Sequence, residues 1–335
     1  MKQLGILLLV ILAFSCKNQK SQLKVEQDKK NLIEISEIEV FLENQAKKDS
    51  LNGTVLIADG DNILLRKAYG FKDLNFSKRH LVEGKIGLAS MPKMFTAIAI
   101  MQLESQGKID INASVGSYLK DVENKFWQDI TVRELLSHTS GLGFYWDYTD
   151  EDVTYTLDDL YKFIKEKDTL PKEQGIFNYS NNGYIILGKI VEDITSLTYM
   201  QYIEKNILNP LNMLDTEIGL SDGSYFKSTV DDIFKFSRGL RTHQLIKKEK
   251  FEEMISKQSE EDYGLGFKLM FKGQSKIYGH PGGSFEDNSP LGIASALDII
   301  DERYTVIVLT NRNPRMGGSK ARNFILDYIA SNKLE

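Results

Sequence analysis

Cysteine is almost absent from this chain of 335 residues: the one thiol, Cys16, has no partner with which to close an internal disulfide. Histidine is nearly as rare, at four, and neither His-Glu-x-x-His nor a cysteine cluster occurs, so the sequence gives a metal site no support. Six prolines and 25 glycines are too few for a fibrous or disordered chain. A net charge of -5 without a long basic cluster argues against nucleic acid as a partner. What remains is globular composition, 41% hydrophobic and 27% charged, long enough for two domains or one large one.

The leading apolar run, Leu4 to Phe14, is too short for the ~20 residues that span a bilayer, but behind Lys2 it suits the h-region of an export signal. Cys16 follows at once, and its placement resembles the lipobox of bacterial lipoproteins, in which the cysteine is acylated and becomes the mature N-terminus. Ala13 and Phe14 depart from the branched aliphatic and small residues expected there, so simple secretion or an uncleaved anchor stays open. The expectation is residues 1–15 as signal peptide and 16–31 as a polar, lysine-rich segment, either a tether off a membrane or a solvated tail with no role. The protein would then be exported to the cell envelope, with Cys16 as its lipid anchor.

Residues 32–335 read as the folded domain. Ser36 and Glu39 have the spacing of a capping box ahead of Ile38, Phe41, Leu42 and Gln45. Thr54 to Ala58 and Ile63 to Tyr69 are strand-like runs around Asp59-Gly60-Asp61-Asn62, a turn by composition. Tyr263 to Phe271, Lys276 to Tyr278, Leu291 to Ile299 and Tyr304 to Thr310 read as further strands, and Ser319 to Ser331 as a closing helix. The fold class is therefore α/β in the α+β sense: a mainly antiparallel sheet flanked by helices and built from both chain ends (32–80 and 257–335), with 81–256 inserted as a helical lobe. The cleft between the lobes is the natural place for a site.

Ser90-Met91-Pro92-Lys93 stands at the head of an apolar stretch that ends at Gly107, and Pro92 is tolerated only in a first helical turn, which predicts a helix beginning at Ser90. One turn apart, the amine can take or stabilise the proton that a serine must lose before attacking a carbonyl. The pattern alone carries little, because Ser-x-x-Lys occurs five times, at Ser21, Ser90, Ser105, Ser117 and Ser224. Only Ser90 opens a helix apolar almost all round, whose buried first turn would be rigid and whose amides would favour negative charge near the hydroxyl. A capping serine with a solvent-bound lysine is the alternative on this segment alone.

Two later segments weigh against that alternative: Tyr179-Ser180-Asn181 ahead of an apolar helix, and His280-Pro281-Gly282 at the end of a short strand. With Ser90-Met91-Pro92-Lys93 they stand in the order and rough spacing of the three motifs of the serine β-lactamase and penicillin-binding-protein superfamily. The Tyr-x-Asn form resembles class C β-lactamases, D-alanyl-D-alanine carboxypeptidases of that branch, and related esterases and D-aminopeptidases. Lys93 to Ile111, Ile130 to Leu142 ("ITVRELLSHTSGL") and Tyr304 to Asn311 look like family segments, so the resemblance runs from about Ile38 to the C-terminus.

The resemblance implies a β-lactamase/transpeptidase-like fold and an acyl-enzyme on Ser90. It implies that Lys93 helps activate the serine and that Tyr179 exchanges protons with it and with the leaving group; which of the two is the base stays open. Asn181 would hold the substrate amide and the Lys93 ammonium, and the amides of Ser90 and Gly283 would form the oxyanion hole. The third motif departs from the Lys-Thr-Gly or Lys-Ser-Gly of β-lactamases. His280 replaces the ammonium and Pro281 the hydroxyl, which weakens carboxylate binding unless Arg312 or Arg315 compensates. Gly282 and Gly283 remain, leaving room for a substrate backbone along the strand. His138, in the "SHTSGL" segment, reads as a structural loop residue; His80 and His243 carry no pattern.

The expected activity is that of a serine hydrolase acting on a small molecule or peptide with an amide or ester carbonyl, without metal or organic cofactor. An esterase or D-amino-acid peptidase ranks above a β-lactamase or carboxypeptidase. A non-catalytic ligand-binding or scaffold protein of the same fold is the alternative of another kind.

Overall fold

The structure, a computed structural model, describes residues 34–119, 125–147, 149–150, 153–167, 173–285, 292–312 and 316–332. The expected signal peptide, the segment carrying Cys16, and Arg315 lie outside the described residues. Chain order is α1 (Ile35–Lys47), β1 (Asn52–Asp59), β2 (Asn62–Tyr69), β3 (Ile86–Gly87), α2 (Lys93–Ser105), α3 (Lys125–Asp129), α4 (Val132–Leu136), α5 (Leu157–Lys167), α6 (Asn181–Thr195) and α7 (Tyr199–Ile203). Then come β4 (Lys227–Ser228), α8 (Val230–Arg241), α9 (Lys248–Met254), β5 (Lys268–Lys272), β6 (Ser275–Phe285), β7 (Gly292–Ile300), β8 (Tyr304–Arg312) and α10 (Gly317–Asn332).

Six strands form one antiparallel sheet in the order β2-β1-β8-β7-β6-β5. The two chain ends meet where β1 pairs with β8, from Gly53 beside Thr310 to Asp59 beside Tyr304. Because side chains alternate along a strand, Val55 and Ile57 of β1 point to one face and Leu56 and Ala58 to the other, and all four are fully buried. One face packs with Ile325 and Ile329 of α10 and Ile38 and Leu42 of α1; the other joins the core built with α2 and α6. Covered on both faces, β1 carries apolar residues continuously rather than in alternation. This is the mainly antiparallel, helix-flanked sheet expected from the strand-rich ends.

Three local expectations are corrected. Helix α1 is capped by Glu34, whose side chain makes no capping bond, so Ser36 and Glu39 form no capping box. Glu39 reaches instead to the Lys67 ammonium on β2 at 3.3 Å. Helix α2 begins at Lys93 and not at Ser90. Tight turns precede it, with the Lys93 amide donating to the Ser90 carbonyl (3.1 Å) and the Phe95 amide to the Pro92 carbonyl (2.8 Å). Proline at the cap loses nothing, because the donor it lacks has no helical acceptor there.

The third correction concerns β5 and β6. Tyr263 to Phe267 are not strand, and β6 runs from Ser275 to Phe285, straight through the His280-Pro281-Gly282 motif that reads in sequence as a strand's end. The register explains the proline. β5 accompanies β6 only as far as Gly279, opposite Lys268, while β7 continues beside it to Phe285. From His280 onward β6 therefore has a free edge, where proline is tolerated.

Candidate active site

The free edge of β6 faces the turn that carries Ser90. A Cβ on Gly282 would sit 1.9 Å from the Leu88 carbonyl oxygen, so strand and turn press together as only glycine allows. From the opposite side Gly223 meets the Ala89 carbonyl in the same way, with a Cβ distance of 2.1 Å. Ala89 itself holds a left-handed φ of 47°, an uncommon conformation for alanine that these neighbours enforce.

Behind the turn, Lys93 is fully buried on α2 and makes three hydrogen bonds. Its Nζ lies 3.1 Å from Ser90 Oγ, 2.8 Å from Asn181 Oδ1 and 2.6 Å from the Asp222 carbonyl oxygen. Two of those partners can only accept, so two N–H bonds are committed to them. The third position points at Ser90 and can hold a proton or a lone pair, which is the geometry of proton exchange with a hydroxyl. The Asp222 carbonyl is held firmly. Its own side chain, 1% exposed, accepts from Tyr145 Oη (3.1 Å) and from the Ser224 amide (3.0 Å).

Asn181 opens α6, whose cap is Ser180: the Ser180 hydroxyl accepts from the Gly183 amide and donates to the Gly143 carbonyl (2.9 Å). That cap fixes the loop just before it. Tyr179, half-buried, lays its ring 5.1 Å from Lys93 Nζ and packs against His138 with centroids 4.1 Å apart and the rings tilted by 34°. Among the described residues its hydroxyl has no hydrogen-bond partner. Ser90, Tyr179, His280, Gly282 and Gly283 together line a cavity of about 740 Å³, with Phe177, Leu269 and Ala296 among its apolar walls. The residues drawn from the three sequence motifs thus surround one cavity, Lys93 and Asn181 lying just beneath its surface.

His280 is 3% exposed, and burial first, then the Lys93 charge, holds its pKa down at about 3. It is neutral at any physiological pH. Pro281 offers no donor beside it. Arg312, a candidate compensating cation, is elsewhere: 2% exposed at the end of β8, it pairs with Asp49 at 3.0 Å. Arg322 of α10 does line the cavity, but its guanidinium is engaged by Asp298 through two bonds of 2.6 Å. Lys268, exposed in the cavity wall, has no ion-pair partner among the described residues.

Sequence reasoning assigned His138 to a loop and passed over Tyr263 and Asp222. His138 is fully buried, and burial together with the Lys93 charge holds its pKa well below the usual value of 6.5. A pH effect follows. In the unfolded chain both histidines titrate near 6.5, whereas the fold refuses the proton, so their stabilisation is complete above pH 6.5 and drains away as pH falls toward 3. Each histidine contributes a slope of up to ~1.4 kcal/mol per pH unit. Urea midpoints measured from pH 6.5 to 5, above the carboxylate range, are expected to fall steadily. His280→Gln is expected to flatten that slope by about one proton; an unchanged slope would mean that His280 is already charged in the fold.

The family described as Beta-lactamase matches residues 39–330. Penicillin-binding protein 4* of Bacillus subtilis (strain 168) is 25% identical over 82% of this chain and 71% of its own length. Among solved structures, the octameric penicillin-binding protein homologue from Pyrococcus abyssi matches with a TM-score of 0.74 at 22% identity, over 90% of this chain and 79% of the other. D-amino acid amidase from Ochrobactrum anthropi SV3 matches with a TM-score of 0.73 at 20% identity, over 87% and 99%. These structures share the six-stranded, helix-flanked fold described above.

Proposed function

The chain belongs to the beta-lactamase family, and from that membership we propose that it is a serine hydrolase cleaving an amide or ester bond through an acyl-Ser90 intermediate. Ser90 Oγ attacks the carbonyl as its proton passes toward Lys93 or Tyr179. The oxyanion develops at the free edge of β6, against the amides of Ser90 and Gly283, where each donor contributes about 3 kcal/mol. Tyr179 delivers a proton to the leaving group, the carbonyl re-forms on Ser90, and water then repeats the sequence to free the acid. The observation that carries this reading is the third position of Lys93, aimed at Ser90 while the other two are held by fixed acceptors.

Within that class, an esterase or D-amino-acid peptidase fits best. The place where a penicillin's carboxylate would be held offers a neutral His280 and a donorless Pro281, and Arg312 is tied to Asp49. A β-lactamase or D-alanyl-D-alanine carboxypeptidase is the second reading, favoured by Lys268, whose ammonium in the cavity wall has no ion-pair partner among the described residues and could meet a carboxylate. Mass spectrometry of the Ser90 peptide after incubation with a fluorophosphonate and, separately, with a penicillin separates them. An adduct with the first alone supports the esterase or peptidase, and adducts with both support the second reading. No adduct with either in folded protein would leave a binding or scaffold protein.

We also place the protein at the cell envelope, on the strength of the apolar run ahead of Cys16. Labelling with a palmitate analogue, lost in Cys16→Ala, tests the anchor.

A further inference from the structure

Tyr179-Ser180-Asn181 and His280-Pro281-Gly282 lie on different parts of the chain, yet an unbroken run of hydrogen bonds joins them. It begins at the Ser180 amide, 3.1 Å from His138 Nδ1. It continues from His138 Nε2 to Tyr263 Oη (3.1 Å), from Tyr263 Oη to His280 Nε2 (2.9 Å), and from His280 Nδ1 to the Pro281 carbonyl oxygen (2.5 Å). All three side chains are buried, with His138 at 0% and His280 and Tyr263 at 3% exposure.

The two ends of the run dictate its direction. A backbone amide can only donate, so His138 Nδ1 accepts and the neutral ring carries its proton on Nε2. That proton goes to Tyr263, whose own hydroxyl hydrogen is then free for His280 Nε2. His280 must carry its proton on Nδ1, where the carbonyl, an obligatory acceptor, awaits it. In this arrangement every donor along the run finds an acceptor. Protonating His138 would put two donors face to face at the Ser180 amide.

We propose that His138 and Tyr263 are positioning residues that lock the Tyr179 loop and the free edge of β6 into one register, so that the proton-exchanging phenol and the Gly283 amide close on the same scissile group, the phenol at its leaving atom and the amide at its carbonyl oxygen. The proposal rests on the hydrolase reading of this site. His138 serves twice, since its ring also packs against the Tyr179 ring, tilted by 34°. It does so from a left-handed φ of 59°, which directs the side chain inward from the loop after α4. Both ring nitrogens of His280 are engaged within the run, which leaves β6 to present backbone rather than side-chain donors.

Two measurements test it. In wild-type protein labelled with ¹⁵N-histidine, long-range proton–nitrogen correlations are expected to show His138 as the Nε2–H tautomer and His280 as the rarer Nδ1–H tautomer. The opposite tautomer at either ring overturns the proposal, whether or not the protein is a hydrolase. In Tyr263→Phe, which keeps the buried ring and removes the link, the limiting rate of fluorophosphonate labelling at Ser90 is expected to fall about tenfold or more, with the concentration for half-saturation unchanged. Labelling within twofold of wild type in the folded variant overturns it as well. Failure of the wild-type protein to label defeats the hydrolase reading alone, and the tautomers then decide the hydrogen-bond chain.

Discussion

Ser90→Ala is expected to lower turnover by roughly four orders of magnitude or more and to leave the fold as it is. Among the described residues, the hydroxyl is the only atom in the cavity wall placed to be both deprotonated by Lys93 and presented to a substrate at the free edge of β6. No other group can take over attack at that point, so the residual rate is what oxyanion stabilisation and binding give to a water molecule. Stability is a separate matter. Ser90 is half-buried in a turn held by backbone bonds, and among the described residues its side chain bonds only to Lys93. Water from the cavity can fill the vacated position, so the melting temperature is expected to stay within a few degrees of wild type. The checks are turnover of a chromogenic ester, loss of fluorophosphonate labelling and a thermal melt. Turnover close to wild type in a folded variant would remove Ser90 from the chemistry.

The sequence made some of this architecture readable and hid the rest for identifiable reasons. Ser90 and Lys93 are three residues apart, so a local turn alone brings them together. The N-terminal hairpin was equally legible, because two strand-like runs around a glycine turn need no long-range information. The extent of β6 was not. Pro281-Gly282-Gly283 has turn composition, and only the early ending of β5 creates the free edge on which such residues can remain strand. Arg312 could not be placed either: its distance from the cavity follows from its pairing with Asp49, 263 residues away in the chain. The link from His138 to Tyr263 crosses 125 residues and the next crosses 17, with no periodicity to announce either. Read in sequence, "SHTSGL" carries the histidine without a hint of its partner.

Lys93→Met separates the two candidate bases and is expected to cost stability that Ser90→Ala does not. If Lys93 takes the serine proton, its loss should reduce turnover by about three orders of magnitude, the upper part of the range for a positioned acid or base. It should also destabilise. The Asp222 carbonyl and Asn181 Oδ1 would keep no donor in a buried place, at about 1–3 kcal/mol each, partly offset by relief from burying a cation. A net loss near 2–4 kcal/mol, read from the urea midpoint, is therefore expected for this variant and not for Ser90→Ala. Combining Lys93→Met with Ser90→Ala tests whether the two residues act as one unit. The double variant should turn over no more slowly than Ser90→Ala, because the lysine has nothing left to activate. Should Lys93→Met alone remain within tenfold of wild type, the proton must leave by another route, and the unbonded phenol of Tyr179 is the group positioned to take it.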